Sequence, residues 1–183
     1  MDSRKRKLQA DKALYEMGLY AYLQRIGEPH IIGSYKMDMM AWNDLDIDVL
    51  NTKMDISKLY QLTGYILRTF RPLWYEAKEE VNEEGKTVWF HGFEAIIDGE
   101  KWNFDLWFFD QETIDKAEEI CGRISEAIKQ KPGSREKIME MKQELLERNL
   151  YGFCKYSSMD VYKAVLEQGI YDVGDFWEEY NKR

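Results

Sequence analysis

The sequence predicts an α+β fold, and three observations carry that prediction. Apolar residues recur at helical spacing near the N-terminus and again from Gln111 onward. Residues 73–109 are instead aromatic and β-branched runs broken by turn signals. Between these blocks, "DLDIDVL" alternates acid and aliphatic, which is the period of a strand. The expected architecture is a small mixed or antiparallel β-sheet flanked by helices, with a C-terminal helical part.

In chain order, Leu8, Tyr15, Leu19, Tyr22, Leu23 and Ile26 mark a first helix that "GEPH" stops at Gly27 and Pro29. "HIIG" is a short buried strand and "DLDIDVL" the next. Asp55 then N-caps a helix carrying Ile56, Leu59, Tyr60, Ile66, Leu67 and Phe70, closed by Pro72. "LWYEAKEEV", "KTVWFHGFEAII" and "EKWNFDLWFF" read as three antiparallel strands joined at "NEEG" and "DG". Ile114, Ala117, Ile120, Ile124 and Ile128 lie on one helical stripe, and Ile138, Met141, Leu145 and Leu146 lie on another after "KPGS". A capping box from Ser157 to Asp160 opens a short helix ended by Gly169, and a last helix carries Phe176, Trp177 and Tyr180. This organises the chain as an α/β core, residues 1–110, and C-terminal helices, residues 111–183, packed on or beside it.

Bulk properties narrow the function. The 44% hydrophobic content and six Trp suit a globular core, and no apolar stretch approaches the length of a membrane span. The basic start "MDSRKRKLQADK" lacks an apolar segment behind it, so it reads as a solvated helix lead-in and not a secretory signal. Cys121 and Cys154 belong to no metal-spaced cluster and fit reduced thiols in a cytoplasmic protein. A net charge of −8 argues against broad nucleic-acid binding and favours a small-molecule or protein partner. His30 and His91 read as structural, with His91 and Glu94 as an alternative lining for an acceptor pocket. Trp74, Trp89, Trp102 and Trp107 read as core or rim, with a ring-stacking wall as the alternative for one of them.

The chemistry concentrates in residues 33–50. On a strand, Asp44, Asp46 and Asp48 share one face, with neighbouring carboxylates about 6 to 7 Å apart at the backbone. Such acids are either a solvated face or the donors of a divalent cation, since like charges at this spacing otherwise repel. Asp105, on a strand face with Asn103, Trp107 and Phe109, is a further donor that would need a partner if buried. Convergent carboxylates are the ligand set that hard Mg²⁺ prefers.

"IIGSYKMDMMAWNDLDIDV" resembles the signature of the nucleotidyltransferase superfamily that includes DNA polymerase beta, the minimal nucleotidyltransferases and the antibiotic nucleotidyltransferases: hydrophobic strand, Gly-Ser, then Asp-x-Asp. The likeness covers about residues 30–110, and the aromatic strands and C-terminal helices are similar to those of uncharacterised bacterial members. It implies that Asp44 and Asp46 are the metal-binding pair and Asp105 the third carboxylate, with Asp48 as an extra or outer ligand. It also implies two Mg²⁺ ions, with Mn²⁺ as a substitute. Gly33, Ser34 and Lys36 would receive the phosphates of ATP or another nucleoside triphosphate, whose nucleoside monophosphate passes to a hydroxyl of a small-molecule acceptor, nucleic acid not being expected. The chain departs from the pattern at Asp38, where the superfamily often has a second glycine. That departure motivates an alternative, a non-catalytic nucleotide sensor or antitoxin-like protein partner.

Overall fold

Five strands form one mixed sheet: β1 (Glu28–Ile31), β2 (Asp44–Leu50), β3 (Trp74–Val81), β4 (Thr87–Ile97) and β5 (Glu100–Phe109), in the order β1-β2-β5-β4-β3. β2 and β5 run parallel, and the other neighbours are antiparallel. The computed structural model describes residues 3–82, 85–151 and 155–181. The chain divides into two compact units, Met1–Cys121 and Gly122–Arg183. The β4–β5 turn is Asp98-Gly99, both with positive φ (49° and 81°), the backbone that a two-residue hairpin needs.

The helices of the first unit are α1 (Ser3–Asp11), α2 (Leu19–Leu23), α3 (Gly33–Lys36) and α4 (Ile56–Phe70), with a π-helical turn at Lys12–Glu16 following α1. The single first helix expected from periodicity is therefore broken. Gly18 takes a left-handed φ of 81°, and the Tyr65 hydroxyl donates to the Met17 carbonyl (2.7 Å) at the break. Leu8 and Tyr15 are exposed, while Ala10, Ala13 and Leu14 are buried against the sheet. Asp55 caps α4 as expected, accepting from the Lys58 N–H at 2.9 Å.

Side chains from the two faces of the sheet have opposite fates. Leu45, Ile47, Val49, Phe93, Phe104, Leu106 and Phe108 form the core with Leu62, Ile66 and Phe70 of α4. Phe93 and Phe104 stack there with centroids 4.5 Å apart. His91 lies on this same face, fully buried, with Nε2 3.4 Å from the Leu59 carbonyl. It is structural, and β-alternation sends it to the side of the sheet opposite Glu94, so the two do not line one pocket.

α5 (Gln111–Gln130) runs across the division between the units. The second unit contains α6 (Ser134–Glu147), α7 (Ser158–Lys163), a π-helical turn at Ala164–Gln168, and α8 (Val173–Tyr180). The Ser157–Asp160 capping box is present, and Gly169 ends the π-helical turn at φ 69°. Val161, Val165, Phe176 and Tyr180 pack in its interior, where Phe176 and Tyr180 stack at 4.4 Å. No helix among the described residues is long and apolar enough to cross a membrane. Cys121 is buried and free, and Cys154 lies outside the described residues.

Candidate metal centre on the acidic sheet face

The face opposite the core is a grid fixed by strand register. One row runs Asp44, Asn103, Glu94, Trp74; the next runs Asp46, Asp105, Gly92, Glu76; a third runs His30, Asp48, Trp107, Phe90, Lys78. Parallel pairing of β2 with β5 thus sets Asp105 beside Asp46 although they are far apart in sequence. Asp44, Asp46 and Asp105 each offer an oxygen within 4.8 Å of the others. Oxygens this close repel unless a cation neutralises them, and carboxylates are donors that Mg²⁺ takes. Asn103 Nδ2 donates to Asp44 Oδ1 at 2.9 Å and so orients that carboxylate. Burial, reinforced by the neighbouring Asp44, pushes the Asp105 carboxyl up to about 6.

The loop that carries Gly33 presses on this group. Gly33 has a left-handed φ of 64°, and a Cβ there would lie 2.3 Å from Asp46 Oδ2. Only glycine lets the chain pass so close to the carboxylate. The Ile32 N–H donates to the Asp46 carbonyl at 3.1 Å, fastening the start of the loop to β2. Ser34, in α3, is buried. Asp38, the residue in place of glycine, also has positive φ (54°), so it keeps the backbone shape that favours glycine. It lines a cleft of about 480 Å³ with Arg4 and Lys7, whose charges oppose its own.

Two expected residues stand apart from the acid group. Asp48 is outside it: buried beside His30, its carboxyl is pushed up to about 7 by burial, with Glu118 adding to the rise and His30 opposing it. Lys36 Nζ lies 2.7 Å from Glu118 Oε1, the atom that also lies 3.3 Å from His30 Nδ1. Lys36 and then His30 hold the Glu118 carboxyl below its usual range. The Cys121 thiol meets the Gly33 backbone N–H, and burial raises its pKa. The sequence did not place Glu118 or Cys121 at this site; both come from α5, more than 80 residues beyond the segment they meet, and no local pattern marks that contact.

The five-stranded mixed sheet flanked by helices, with Gly-Ser ahead of an Asp-x-Asp strand, is consistent with a nucleotidyltransferase fold. The chain is similar in structure to the Cid1 poly(U) polymerase with Mg and 3′-dATP bound, at 17% identity and a TM-score of 0.52, covering 88% of this chain and 49% of that one. It is also similar to the non-canonical poly(A) polymerase complex GLD-2–GLD-3, at 14% identity and a TM-score of 0.56, covering 100% of this chain and 65% of that one. The chain thus spans 49% and 65% of the length of these two structures. No protein-family profile and no curated protein matches the sequence.

Proposed function

We propose that this protein transfers a nucleoside monophosphate from a nucleoside triphosphate to an acceptor hydroxyl in a metal-dependent reaction. The observation that carries the proposal is the convergence of Asp44, Asp46 and Asp105 within 4.8 Å, beside a glycine at positive φ where a Cβ would lie 2.3 Å from Asp46 Oδ2. Asp44 and Asp46 would hold two divalent ions, Mg²⁺ with Mn²⁺ as a substitute, and Asp105 would complete the site of one of them. Bound there, the ions would supply charge neutralisation for the phosphates and a lowered pKa for the attacking hydroxyl. The Gly33–Ser34 backbone and the Ser34 hydroxyl receive the β- and γ-phosphates. Asp105 would take the hydroxyl proton as the acceptor oxygen attacks the α-phosphorus and pyrophosphate leaves. Lys36, held by Glu118, reaches the phosphates only by leaving that partner, so its contribution is the smallest of the set.

The acceptor is the finer question. Acidic net charge suggested a small hydroxylated molecule, whereas the structures this fold resembles are named for making poly(U) and poly(A). Those names favour the terminal hydroxyl of a ribonucleotide chain, of which a chain with net charge −8 need grip only the end. The test is pyrophosphate release and label transfer from each of the four triphosphates with Mg²⁺, using short oligoribonucleotides and pools of small hydroxylated molecules. Labelled oligoribonucleotide supports the reading, labelled small molecules alone restore the earlier acceptor, and no transfer to either overturns the enzymatic reading. Metal-dependent triphosphate binding without transfer would point to the nucleotide sensor. The glycine-like backbone at Asp38 weakens that alternative, because the departure leaves the loop shape intact.

A further inference from the structure

Beyond Asp105, the acidic row meets a glycine. Gly92 pairs with Asp105 across β4 and β5, one strand spacing or about 4.8 Å away. A Cβ at Gly92 would lie 2.6 Å from Phe90 Cζ and 3.0 Å from Trp74 Cη2. Rings from the two flanking rows therefore close over the glycine that pairs with Asp105. Phe90 packs on Trp107 with centroids 4.5 Å apart, and Trp107 stacks on Phe109 at 5.5 Å.

These rings do not serve the main core, which lies on the other face of the sheet. Phe90 is the buried floor, Trp107 is half-buried, and Trp74 is 44% exposed. Aromatic surface left partly open beside a polar reaction centre is suited to hold a flat ring. Lys78 Nζ sits 5.4 Å over the Phe90 ring, between Glu76 and Glu80. Both glutamates offset the Lys78 charge, so the rings and not a net charge give this surface its selectivity.

We propose that Trp74, Phe90 and Trp107 form a stacking platform, next to Asp105, for the terminal nucleobase of the acceptor. The assignment rests on the nucleotidyl-transfer reading and deepens it by selecting an acceptor that carries a planar ring within a sugar's reach of its hydroxyl. Stacking on every base through its π-face makes this platform tolerant of sequence and intolerant of a missing base.

The experiment uses the full chain without metal or triphosphate, so that its failure is separable from failure of transfer. Fluorescence anisotropy reads binding of a dye-labelled hexaribonucleotide and of the same oligomer with an abasic 3′ end. The expected result is roughly tenfold weaker binding of the abasic probe, a preference that Trp74→Ala abolishes and Trp74→Phe keeps. Because Trp74 is 44% exposed, the Ala variant keeps the wild-type melting temperature. Equal binding of the two probes, binding of neither, or a preference that survives Trp74→Ala overturns the platform. A base preference in a protein that transfers nothing leaves the platform standing and removes the reaction.

Discussion

The two faces of the five-stranded sheet are built from the same strands yet solve opposite problems. On β5, Phe104, Leu106 and Phe108 point into a packed core, while Asn103, Asp105 and Trp107 alternate with them on the acidic face. On β2, Leu45, Ile47 and Val49 face the core, and Asp44, Asp46 and Asp48 face away. One face gains free energy by removing apolar surface from water. The other gathers like charge, which costs stability unless a ligand uses it. A substitution on each side of one strand should therefore separate stability from activity.

The largest effect belongs to the acidic face and to turnover. Asp105→Asn and Asp46→Asn should each lower the transfer rate on the order of 10³-fold, about 4 kcal/mol of lost transition-state stabilisation, measured as pyrophosphate release. Neither should lower the melting temperature of the metal-free protein, and relief of repulsion should raise it. Asp48→Asn, outside the acid group, should leave measurable turnover.

The adjacent residue on the other face inverts this. Phe104 is fully buried and stacked on Phe93, so Phe104→Ala should cost about 3–5 kcal/mol in denaturant unfolding. A Phe104→Ala loss that matches that of Asp105→Asn in stability would dissolve the distinction between the faces.

The core face carries its own titration. Burial holds the His91 imidazole neutral, with its pKa lowered to about 4. The unfolded chain takes up this proton near pH 6.5, so His91 leaves stability intact above that pH. As pH falls from 6.5 towards 4 it removes up to about 3 kcal/mol. His91→Leu should flatten the wild-type fall in stability between pH 6.5 and 4, read from urea midpoints across that range. Identical slopes in the two proteins would show that the ring does not titrate as placed.

The smallest predicted effect sits where loop and acids meet. At Gly33, alanine must adopt φ 64° and place its Cβ 2.3 Å from Asp46 Oδ2. Gly33→Ala should cost about 1–2 kcal/mol of stability and, by displacing Asp46, reduce the melting-temperature rise that Mn²⁺ produces in the wild type. An unchanged Mn²⁺ response would separate Gly33 from the acid group.

Most of the sheet was legible from periodicity. Alternation in "DLDIDVL" and "EKWNFDLWFF" marks both strands and assigns each residue to its face. The pairing was not legible, because Asp46 meets Asp105 through a parallel contact across 59 positions, and no local pattern encodes register between distant strands. The break at Gly18 escaped because apolar spacing continues through it, whereas the Tyr65 hydroxyl that meets the Met17 carbonyl comes from α4. Lys36 looked free for a phosphate because its partner, Glu118, lies on α5. Asp38 looked like a disruption because residue type alone does not reveal a left-handed backbone.

Everything proposed for the acidic face requires Asp44, Asp46 and Asp105 to bind a divalent cation together. Titration calorimetry of Mn²⁺ with a non-hydrolysable triphosphate, on the wild type, Asp46→Asn and Asp48→Asn, tests it most directly. Binding should be saturable in the wild type, persist in Asp48→Asn and be lost in Asp46→Asn. Equal heats in all three proteins, or none in the wild type, would contradict it.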